Sequence, residues 1–557
     1  MPQGPVAALL EMVGVSIYCS IFERQGQDPD LVLNLHQLIW GSTMSENKPN
    51  IVLIMVDQLS ALFLSSYGHP VVKTPNIDRL AKDGVVFENF YSPSPLCAPA
   101  RAAMMSGQLP SRNRVYDNAA EFASQIPSFA HYLRLEGYRT CLSGKMHIVG
   151  PDQLHGFEER LTTDIYPADF GWTPDWRKPQ ERVDWWYHNL LSVKQAGIAE
   201  QTNQLEYDDE VSFQACRRIY DYARNPEQRP FCLVASFTHP HDPYAARAKY
   251  WNLYSDDAID APLTRAFAYD DMDPHSQRLW KVSAMDDYDI CDQDIRNARR
   301  AYYANISYLD DHVGRILDTL DDCGLTDDTI IMFTSDHGDM LGERGLWYKM
   351  SFMEHSARVP LIVYAPGRYE ARRVAQPTSL LDIVPTLSDI AGRKDHAATL
   401  DGHSLLPLLQ GGTENPEHAI YAELTAEGCL APLFMIRQGN WKYTASRPDP
   451  DQLFDLAADP NEKSNLADRP DHADIVRKFR SMAAARWNPS RLEAEIRESQ
   501  LVRLAVWQAL RKGNWYPWDY QPLRDASEQY MRNHKDLNVL EKTSRFPPPP
   551  QPDKKSG

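Results

Sequence analysis

Four short apolar segments, each ending in a cluster of polar side chains, constrain the fold of this chain more than any other feature. They are NIVLIMVDQ (50–58), YRTCLSGKMH (138–147), FCLVASFTHPHDPY (231–244) and TIIMFTSDHGDM (329–340). Apolar runs of this length are typical of strands that are buried on both faces. Because ligands of open α/β sheets gather outside the carboxyl ends of strands, we expect the four clusters to meet at one sheet edge. This arrangement favours an enzyme over a binding scaffold.

Helical periodicity between these segments completes an α/β pattern. One predicted helix covers residues 298–320, where the apolar stripe consists of Ile306, Leu309, Val313, Ile316, Leu317 and Leu320. Alternation of helix and strand predicts a doubly wound α/β domain. We place this domain at residues 44–412.

A different pattern follows residue 412. Strands are predicted at 419–424, 432–438, 441–446 and 452–456, and a helix is predicted at 473–487. Residues 413–497 are therefore expected to form a smaller subdomain, an antiparallel sheet with a packed helix. The remaining predictions are an aromatic tail at 498–545, a disordered proline-rich end at 546–557, and an extension or misassigned start at 1–43.

Composition excludes several classes of protein. The 557 residues carry 76 acidic and 58 basic side chains, and the resulting charge of −18 opposes binding to nucleic acid. The eight cysteines form no CxxC pair, as expected for reduced thiols in the cytosol. No apolar run is long enough to span a membrane, and the first residues lack the features of a signal peptide. We therefore expect a cytoplasmic protein that does not bind membranes.

The most specific motif is SPLCAPARAAMMSG at 94–107. Pro99 suits the first turn of a helix, which places Cys97 at the helix N-terminus, where the dipole favours an anion. Arg101 adds a cation one turn later. The string Cys97-Ala-Pro99-Ala-Arg101 resembles the signature of the type I sulfatases, and GYRTCLSGKMH at 137–147 resembles their second signature.

Further segments resemble the bacterial choline-sulfatases within that family. They are DNAAEF (117–122), SFTHPHDPY (236–244), AEGCLAP (426–432), QLFDLAADPNE (452–462) and DASEQYMRN (525–533). The resemblance implies an alkaline-phosphatase-like fold, with a large mixed central sheet flanked by helices. It also implies a sulfuric ester hydrolase that converts choline-O-sulfate to choline and sulfate. The resemblance further implies a formylglycine made from Cys97 by formylglycine-generating machinery, a divalent metal ion, and a homo-oligomer that is a dimer or a tetramer.

A metal site is predicted at two of the strand ends. The candidate ligands are Asp57, Gln58, Asp336 and His337, together with residue 97. Carboxylate and amide oxygens with one imidazole suit a divalent cation. Ca²⁺ is the metal expected, with Mn²⁺ or Mg²⁺ as alternatives. Many sulfatases instead have two adjacent aspartates and an Asp-Asn pair at these positions, as their family pattern implies.

Basic side chains at family-matching positions complete the predicted catalytic set. With Cys97, the set consists of Arg101, Lys145, His147, His241 and Lys349. Arg101 and Lys145 are expected to neutralise the sulfate oxygens, and His241 or Lys349 is expected to protonate the leaving alcohol. His147 is expected to deprotonate a hydroxyl on residue 97. His239 is an alternative to His241 for the role of proton donor. We prefer His241, because it lies directly before Asp242-Pro243.

Specificity is predicted to come from aromatic and acidic residues, which bind quaternary ammonium groups. The candidates are Asn118, Trp172, His188, Glu427 and Tyr530. Two alternatives remain open at the level of sequence. One is an arylsulfatase or a phosphonate or phosphodiester hydrolase of the same superfamily, and the other is a non-catalytic homologue that binds sulfate or metal.

Overall fold

The computed structural model describes residues 48–179, 181–182, 187–224, 229–514 and 518. The predictions for 1–43, for most of the aromatic tail including Tyr530, and for the proline-rich end lie outside these residues. The described residues form a nine-stranded mixed sheet. Its strands are β1 (Asn50–Asp57), β2 (Val85–Tyr91), β3 (Arg139–Gly144), β4 (Glu159–Arg160), β6 (Phe231–Pro240), β8 (Thr329–Ser335), β9 (Arg358–Tyr364), β10 (Arg372–Val374) and β11 (Thr378–Ser379). Their order in the sheet is β10-β2-β9-β8-β1-β6-β3-β4, and β11 pairs with β2. The short strands β5 (Gly197–Ile198) and β7 (Ala245–Ala246) form a separate parallel pair.

The four strands predicted from sequence are adjacent and parallel, in the order β8-β1-β6-β3. Their carboxyl ends align, because Asp57 pairs with Pro240 and Val56 pairs with Ser335. The expectation that the four polar clusters meet at one sheet edge is therefore confirmed.

Strand β1 is buried on both faces of the sheet. Val52, Ile54 and Val56 pack into one apolar core, whereas its other alternate residues pack into a second core on the opposite face. Alternation of this kind is the two-residue period of a strand. The sheet consequently carries helices on both sides, and the mixed α/β architecture with flanking helices is confirmed.

Helices cover both faces and connect the strands. They are α1 (Pro75–Asp83), α2 (Cys97–Ser106), α3 (Pro110–Asn113), α4 (Phe129–Leu135), α5 (Leu191–Lys194), α6 (Asn203–Arg224), α7 (Ala248–Trp251), α8 (Pro274–Val282), α9 (Asp292–Asp322), α10 (Glu354–Ala357), α11 (Ile383–Ile390), α12 (Leu406–Leu409), α13 (Ala473–Arg486) and α14 (Pro489–Leu510). The predicted helix at 298–320 lies within α9. Its apolar stripe is buried against the strands.

The predicted smaller sheet is present as four antiparallel strands in sequence order. They are β12 (Ala419–Leu424), β13 (Leu433–Gln438), β14 (Trp441–Ser446) and β15 (Asp449–Asp455). Strand β15 begins earlier than the predicted 452 and contains Pro450, which an edge strand tolerates. Helix α14 follows α13 and passes residue 498, where the sequence predicts the start of the tail.

None of the described helices combines the length and the apolar character that crossing a membrane requires.

Candidate active site

Four buried side chains converge at the carboxyl edge of the large sheet. Asp57 ends β1, Cys97 begins α2, and Asp336 and His337 follow β8. One ligand atom from each lies within 4.8 Å of the others. The Cys97 Sγ atom is 3.3 Å from His337 Nε2 and 3.9 Å from Asp57 Oδ1.

This donor set fits a divalent cation. Asp57 and Asp336 are fully buried, and a metal ion would compensate part of their charge. The Nδ1 atom of His337 lies 3.1 Å from the Gly338 carbonyl oxygen, to which it can donate, so that the Nε2 lone pair faces the cluster. Asp57, Asp336, His337 and residue 97 are therefore the residues that would hold the metal.

Unusual backbone conformations surround the cluster. Gln58, His147 and Tyr348 have positive φ angles of 67°, 56° and 66°. Such angles are uncommon for residues with a Cβ and concentrate at functional sites. No residue with a side chain fits at Gly144, just before Lys145, because a Cβ there would lie 1.9 Å from the Ser236 carbonyl oxygen. Close approach of β3 and β6 at this point places Lys145 in the site.

Arg101 connects three strand ends. Its guanidinium donates to Asp336 Oδ2 at 2.8 Å, to Asp57 Oδ2 at 3.0 Å and to Ser236 Oγ at 2.9 Å. The fully buried Lys145 ammonium forms a close ion pair with Asp57 and lies 4.5 Å from the centre of the Tyr166 ring. Burial alone would raise the pKa of Asp57, but the cations of Lys145, His241 and Arg101 hold that pKa well below its ordinary value.

Gln58 connects the metal cluster to Lys349. Its Oε1 atom accepts a hydrogen bond from Lys349 Nζ at 2.6 Å, and its Nε2 atom donates to Asp339 Oδ2 at 2.8 Å. Tyr244 also donates to that carboxylate oxygen at 2.7 Å. Asp339 thereby fixes the orientation of the Gln58 amide. Gln58 as a direct metal ligand stays a prediction.

His241 and Lys349 form one unit. The His241 Nδ1 atom is 2.7 Å from the Asp242 carbonyl oxygen, to which it can donate, and Nε2 lies 2.8 Å from Lys349 Nζ. His239 is held elsewhere, because its Nδ1 atom lies 2.6 Å from Asp208 Oδ2. This difference in partners favours His241 over His239 for a catalytic role.

His147 lies beside residue 97. Its backbone N–H donates to Asp164 Oδ2 at 2.8 Å, which supports the left-handed conformation. Neither ring nitrogen has a well-oriented hydrogen-bond partner among the described residues. The imidazole nevertheless contributes to the low pKa of Cys97, so the ring is close to the thiol. A buried imidazole this close to the thiol can exchange a proton with a group on residue 97.

Electrostatics around Cys97 favour an anion. Burial alone would raise the pKa of the thiol, but the neighbouring Lys145 and Lys349 ammonium groups, together with the His337 imidazole, hold that pKa well below its ordinary value. The thiol also lies at the N-terminal end of α2, where the helix dipole acts in the same direction. An oxygen nucleophile at this position would experience the same field.

The predicted specificity residues lie around this centre. The Trp172 ring is 5.9 Å from that of His147, centre to centre, in an edge-on arrangement. His188 stacks on Tyr348 at 4.3 Å, and its Nδ1 atom lies 3.7 Å from Asp242 Oδ2. The Asn118 Oδ1 atom accepts the Ala98 backbone N–H at 2.9 Å, which fixes the start of α2.

Glu427 is a buried carboxyl with an unsatisfied oxygen. Its Oε2 atom has no hydrogen-bond partner within the described part of the chain. Burial raises the pKa of Glu427 to about 7, and the charges of Asp117, Lys349 and Cys97 also act on it. The carboxyl therefore lies within the field of the site, where a cation would compensate it.

Several residues of the site were not found from sequence. Asp339, Asp164, Ser236 and Tyr166 hold the catalytic side chains through the contacts described above. Asp339 had a local signal, because it follows His337 by two residues at a predicted strand end. Ser236 lies within the segment 231–244 but before its polar end, and Asp164 and Tyr166 carry no pattern that separates them from ordinary polar residues.

The fold and this site define a class of enzyme, and sequence comparison agrees. The profile of the Sulfatase family matches residues 49–393, and the chain belongs to this family. It is a sulfatase enzyme with an alkaline-phosphatase-like fold. A second profile, described as the choline sulfatase enzyme C terminal, matches residues 494–546.

Two relatives and one solved structure show which particular hydrolases this chain is similar to. The chain is 54% identical over 513 residues to a choline-sulfatase of Rhizobium meliloti, covering 90% of this chain and 99% of that protein. It is 28% identical to the multifunctional alkaline phosphatase superfamily protein PehA of Trinickia caryophylli, covering 78% and 94% of the two chains. The solved phosphonate monoester hydrolase of Agrobacterium radiobacter superposes with a TM-score of 0.64 at 26% identity, covering 80% and 96%.

Proposed function

We propose that this sulfatase hydrolyses choline-O-sulfate to choline and sulfate. The observation that carries the proposal is the buried Glu427 carboxyl, whose Oε2 atom has no partner among the described residues. A quaternary ammonium group offers a charge to this carboxylate without requiring a hydrogen bond. Trp172 next to His147 supplies an aromatic face for the same cation. The similarity to a protein named choline-sulfatase supports this choice of substrate.

At the sulfate end, the chain supplies a fixed positive field. Arg101 and Lys145 are fully buried and already oriented by Asp57 and Asp336. They neutralise charge on the sulfate oxygens without reorganising during the reaction. We assign substrate binding and charge stabilisation to these two residues.

Proton transfer to the leaving alcohol falls to the His241–Lys349 unit. The two groups are 2.8 Å apart, so the group that gives its proton to the choline oxygen can take up a proton from the other. His147 acts on the opposite step. A ring nitrogen of His147 takes a proton from residue 97, and this transfer allows sulfate to leave.

Residue 97 and the metal complete the chemistry. A hydrated formylglycine at position 97 supplies two hydroxyl groups on one carbon, one as nucleophile and one to expel sulfate. A divalent cation held by Asp57, Asp336 and His337 would lower the pKa of such a hydroxyl and offset charge on sulfate. We propose Ca²⁺ for this position, with Gln58 as an additional oxygen ligand.

A second candidate is a phosphonate or phosphodiester hydrolase. The similarity to the phosphonate monoester hydrolase favours it, as do the Asp57-Gln58 and Asp336-His337 pairs. The buried Glu427 carboxyl opposes it, because an uncharged ester substituent would leave the Oε2 atom without a partner among the described residues. An arylsulfatase would leave the same carboxylate without a partner.

Turnover of four esters by the purified protein tests the proposal. These are choline-O-sulfate, its carbon isostere in which an uncharged tert-butyl group replaces the trimethylammonium group (called the neutral isostere for that group), an aryl sulfate and a phosphodiester. We expect the highest kcat/KM for choline-O-sulfate. Equal kcat/KM for choline-O-sulfate and the isostere, or a preference for the phosphodiester, would contradict the substrate assignment.

Four expectations stay proposals beyond the substrate. They concern the cytoplasmic location, the domain bounds given above, maturation by formylglycine-generating machinery, and a dimer or tetramer in which Tyr530 reaches a neighbouring pocket. Mass measurement of the native assembly checks the oligomer.

A further inference from the structure

Helix α14 presents polar side chains to the body of the protein. Four of its residues are buried, and they follow helical spacing as Leu492, Ile496, Gln500 and Arg503. Leu492 and Ile496 pack into an apolar core, but Gln500 is 2% exposed and Arg503 is 5% exposed. Burial of a polar group costs free energy unless the group is hydrogen-bonded, so the partners of these two side chains indicate what they do.

Arg503 connects two loops that flank the site. Its guanidinium binds the Asp117 carboxylate in a bidentate ion pair, at 2.6 and 2.7 Å, and donates to Thr173 Oγ1 at 3.1 Å. Asp117 precedes Asn118, and Thr173 follows Trp172. Arg503 therefore fixes the loops of two candidate ammonium contacts relative to each other.

Trp176 extends this connection to the loop of Glu427. Its backbone N–H donates to Gln500 Oε1 at 3.0 Å, and its indole N–H donates to the Ala426 carbonyl oxygen at 3.0 Å. Arg497 donates to the carbonyl oxygens of Trp176 and Leu430, both at 3.0 Å. The loop around Glu427 is thus held on both sides through α14.

We propose that Arg503, Gln500 and Arg497 are positioning residues that hold Asn118, Trp172 and Glu427 in place for the sulfate ester of a cationic alcohol, called the cationic ester below. The inference rests on the proposed function. Helix α14 overlaps the start of the region matched by the choline sulfatase C-terminal profile. In this account the helix determines specificity without touching the substrate, because it preorganises the ammonium subsite and leaves the sulfate subsite unchanged.

Steady-state kinetics on choline-O-sulfate and its neutral carbon isostere test the inference. In Arg503→Gln we expect KM for the cationic ester to rise about tenfold more than KM for the isostere, since the cation–π and charge contacts of that ester are misaligned. We expect kcat to change little for either ester. Arg503→Lys keeps the charge but loses the bidentate geometry, so it should recover part of the preference.

Arg497→Met provides a second variant that leaves Asp117 paired. We expect a smaller loss of preference in the same direction. Its matched control is Arg491→Met, because Arg491 lies on the exposed face of the same helix and pairs with Glu495 at 2.8 Å. This control should behave as the parent enzyme does.

The two proposals fail in different ways. A parent enzyme without preference for the cationic ester would overturn the proposed function, and with it this inference. A parent enzyme that has the preference, together with Arg503→Gln and Arg497→Met variants that retain it, would overturn the inference alone. Equal losses on both esters in both variants would show a purely structural role and would also overturn it.

Discussion

Replacing Glu427 with glutamine separates recognition of the ammonium group from the chemistry at sulfur. The carboxyl is buried, and burial raises its pKa from the ordinary 4.5 to about 7. This increase in pKa, of about 2.5, corresponds to about 3 kcal/mol of additional free energy for ionising the Glu427 carboxyl when no substrate is bound. A bound cation recovers part of this cost, because it stabilises the ionised carboxylate.

The sign of the pH dependence follows from this raised pKa. Below about pH 7 the carboxyl of the free enzyme takes up a proton and loses its charge, so its attraction for the ammonium group disappears as the pH falls. The preference for choline-O-sulfate over the neutral isostere should then fall by up to about tenfold for each pH unit below that value. Above pH 7 the preference should be constant.

The assay is the ratio of kcat/KM for the two esters between mildly acidic and mildly alkaline pH. Catalytic groups that act on both esters cancel in this ratio. In Glu427→Gln we expect a low ratio that does not change with pH. Glu417→Gln is the matched control, because Glu417 lies on the surface of the same subdomain and pairs with Lys478. A flat ratio in the parent enzyme, or a pH-dependent ratio in Glu427→Gln, would refute the reasoning.

Five further substitutions, at four positions, probe the catalytic and binding groups. Cys97→Ala and Cys97→Ser should both lose all turnover while keeping the parent circular dichroism spectrum, and turnover by either would exclude an aldehyde-based nucleophile. Asp336→Asn should lose bound metal and activity together, as measured by elemental analysis and kinetics, because an amide lacks the charge of the carboxylate. Trp172→Ala should raise KM for choline-O-sulfate about fivefold more than for the isostere, and equal increases would assign the ring a packing role. Lys349→Met should lower kcat far more for the alkyl ester than for an aryl sulfate, whose leaving group needs no proton; equal losses would remove Lys349 from proton transfer.

The local sequence pattern was sufficient to predict the centre of the sheet. Strands β1, β3, β6 and β8 are continuous apolar runs, and the parallel arrangement aligns their polar ends. Asp57, Asp336 and His337 could be placed together for this reason. Strands β2 and β9 were not predicted, because their position in the sheet depends on antiparallel pairing between distant segments.

Contacts between distant segments also explain what was missed around the substrate pocket. Asp117 and Arg503 are 386 residues apart, and neither has a local pattern that points to the other. Residues 498–510, which are the second part of α14, were predicted as the start of an aromatic tail, yet they carry buried polar residues that only the packed structure explains. Resemblance to a family supplied the roles of Cys97 and His147, which spacing alone did not contain.

The chemical state of residue 97 distinguishes an aldehyde-based nucleophile from an unmodified thiol. The measurement is the mass of the peptide that contains this residue, taken from active protein made in a host with formylglycine-generating machinery. We predict a peptide mass in which one oxygen replaces one sulfur and two hydrogens of cysteine. The fraction of peptide with this mass should be proportional to the specific activity. Fully active protein whose peptide carries only unmodified cysteine would contradict the account.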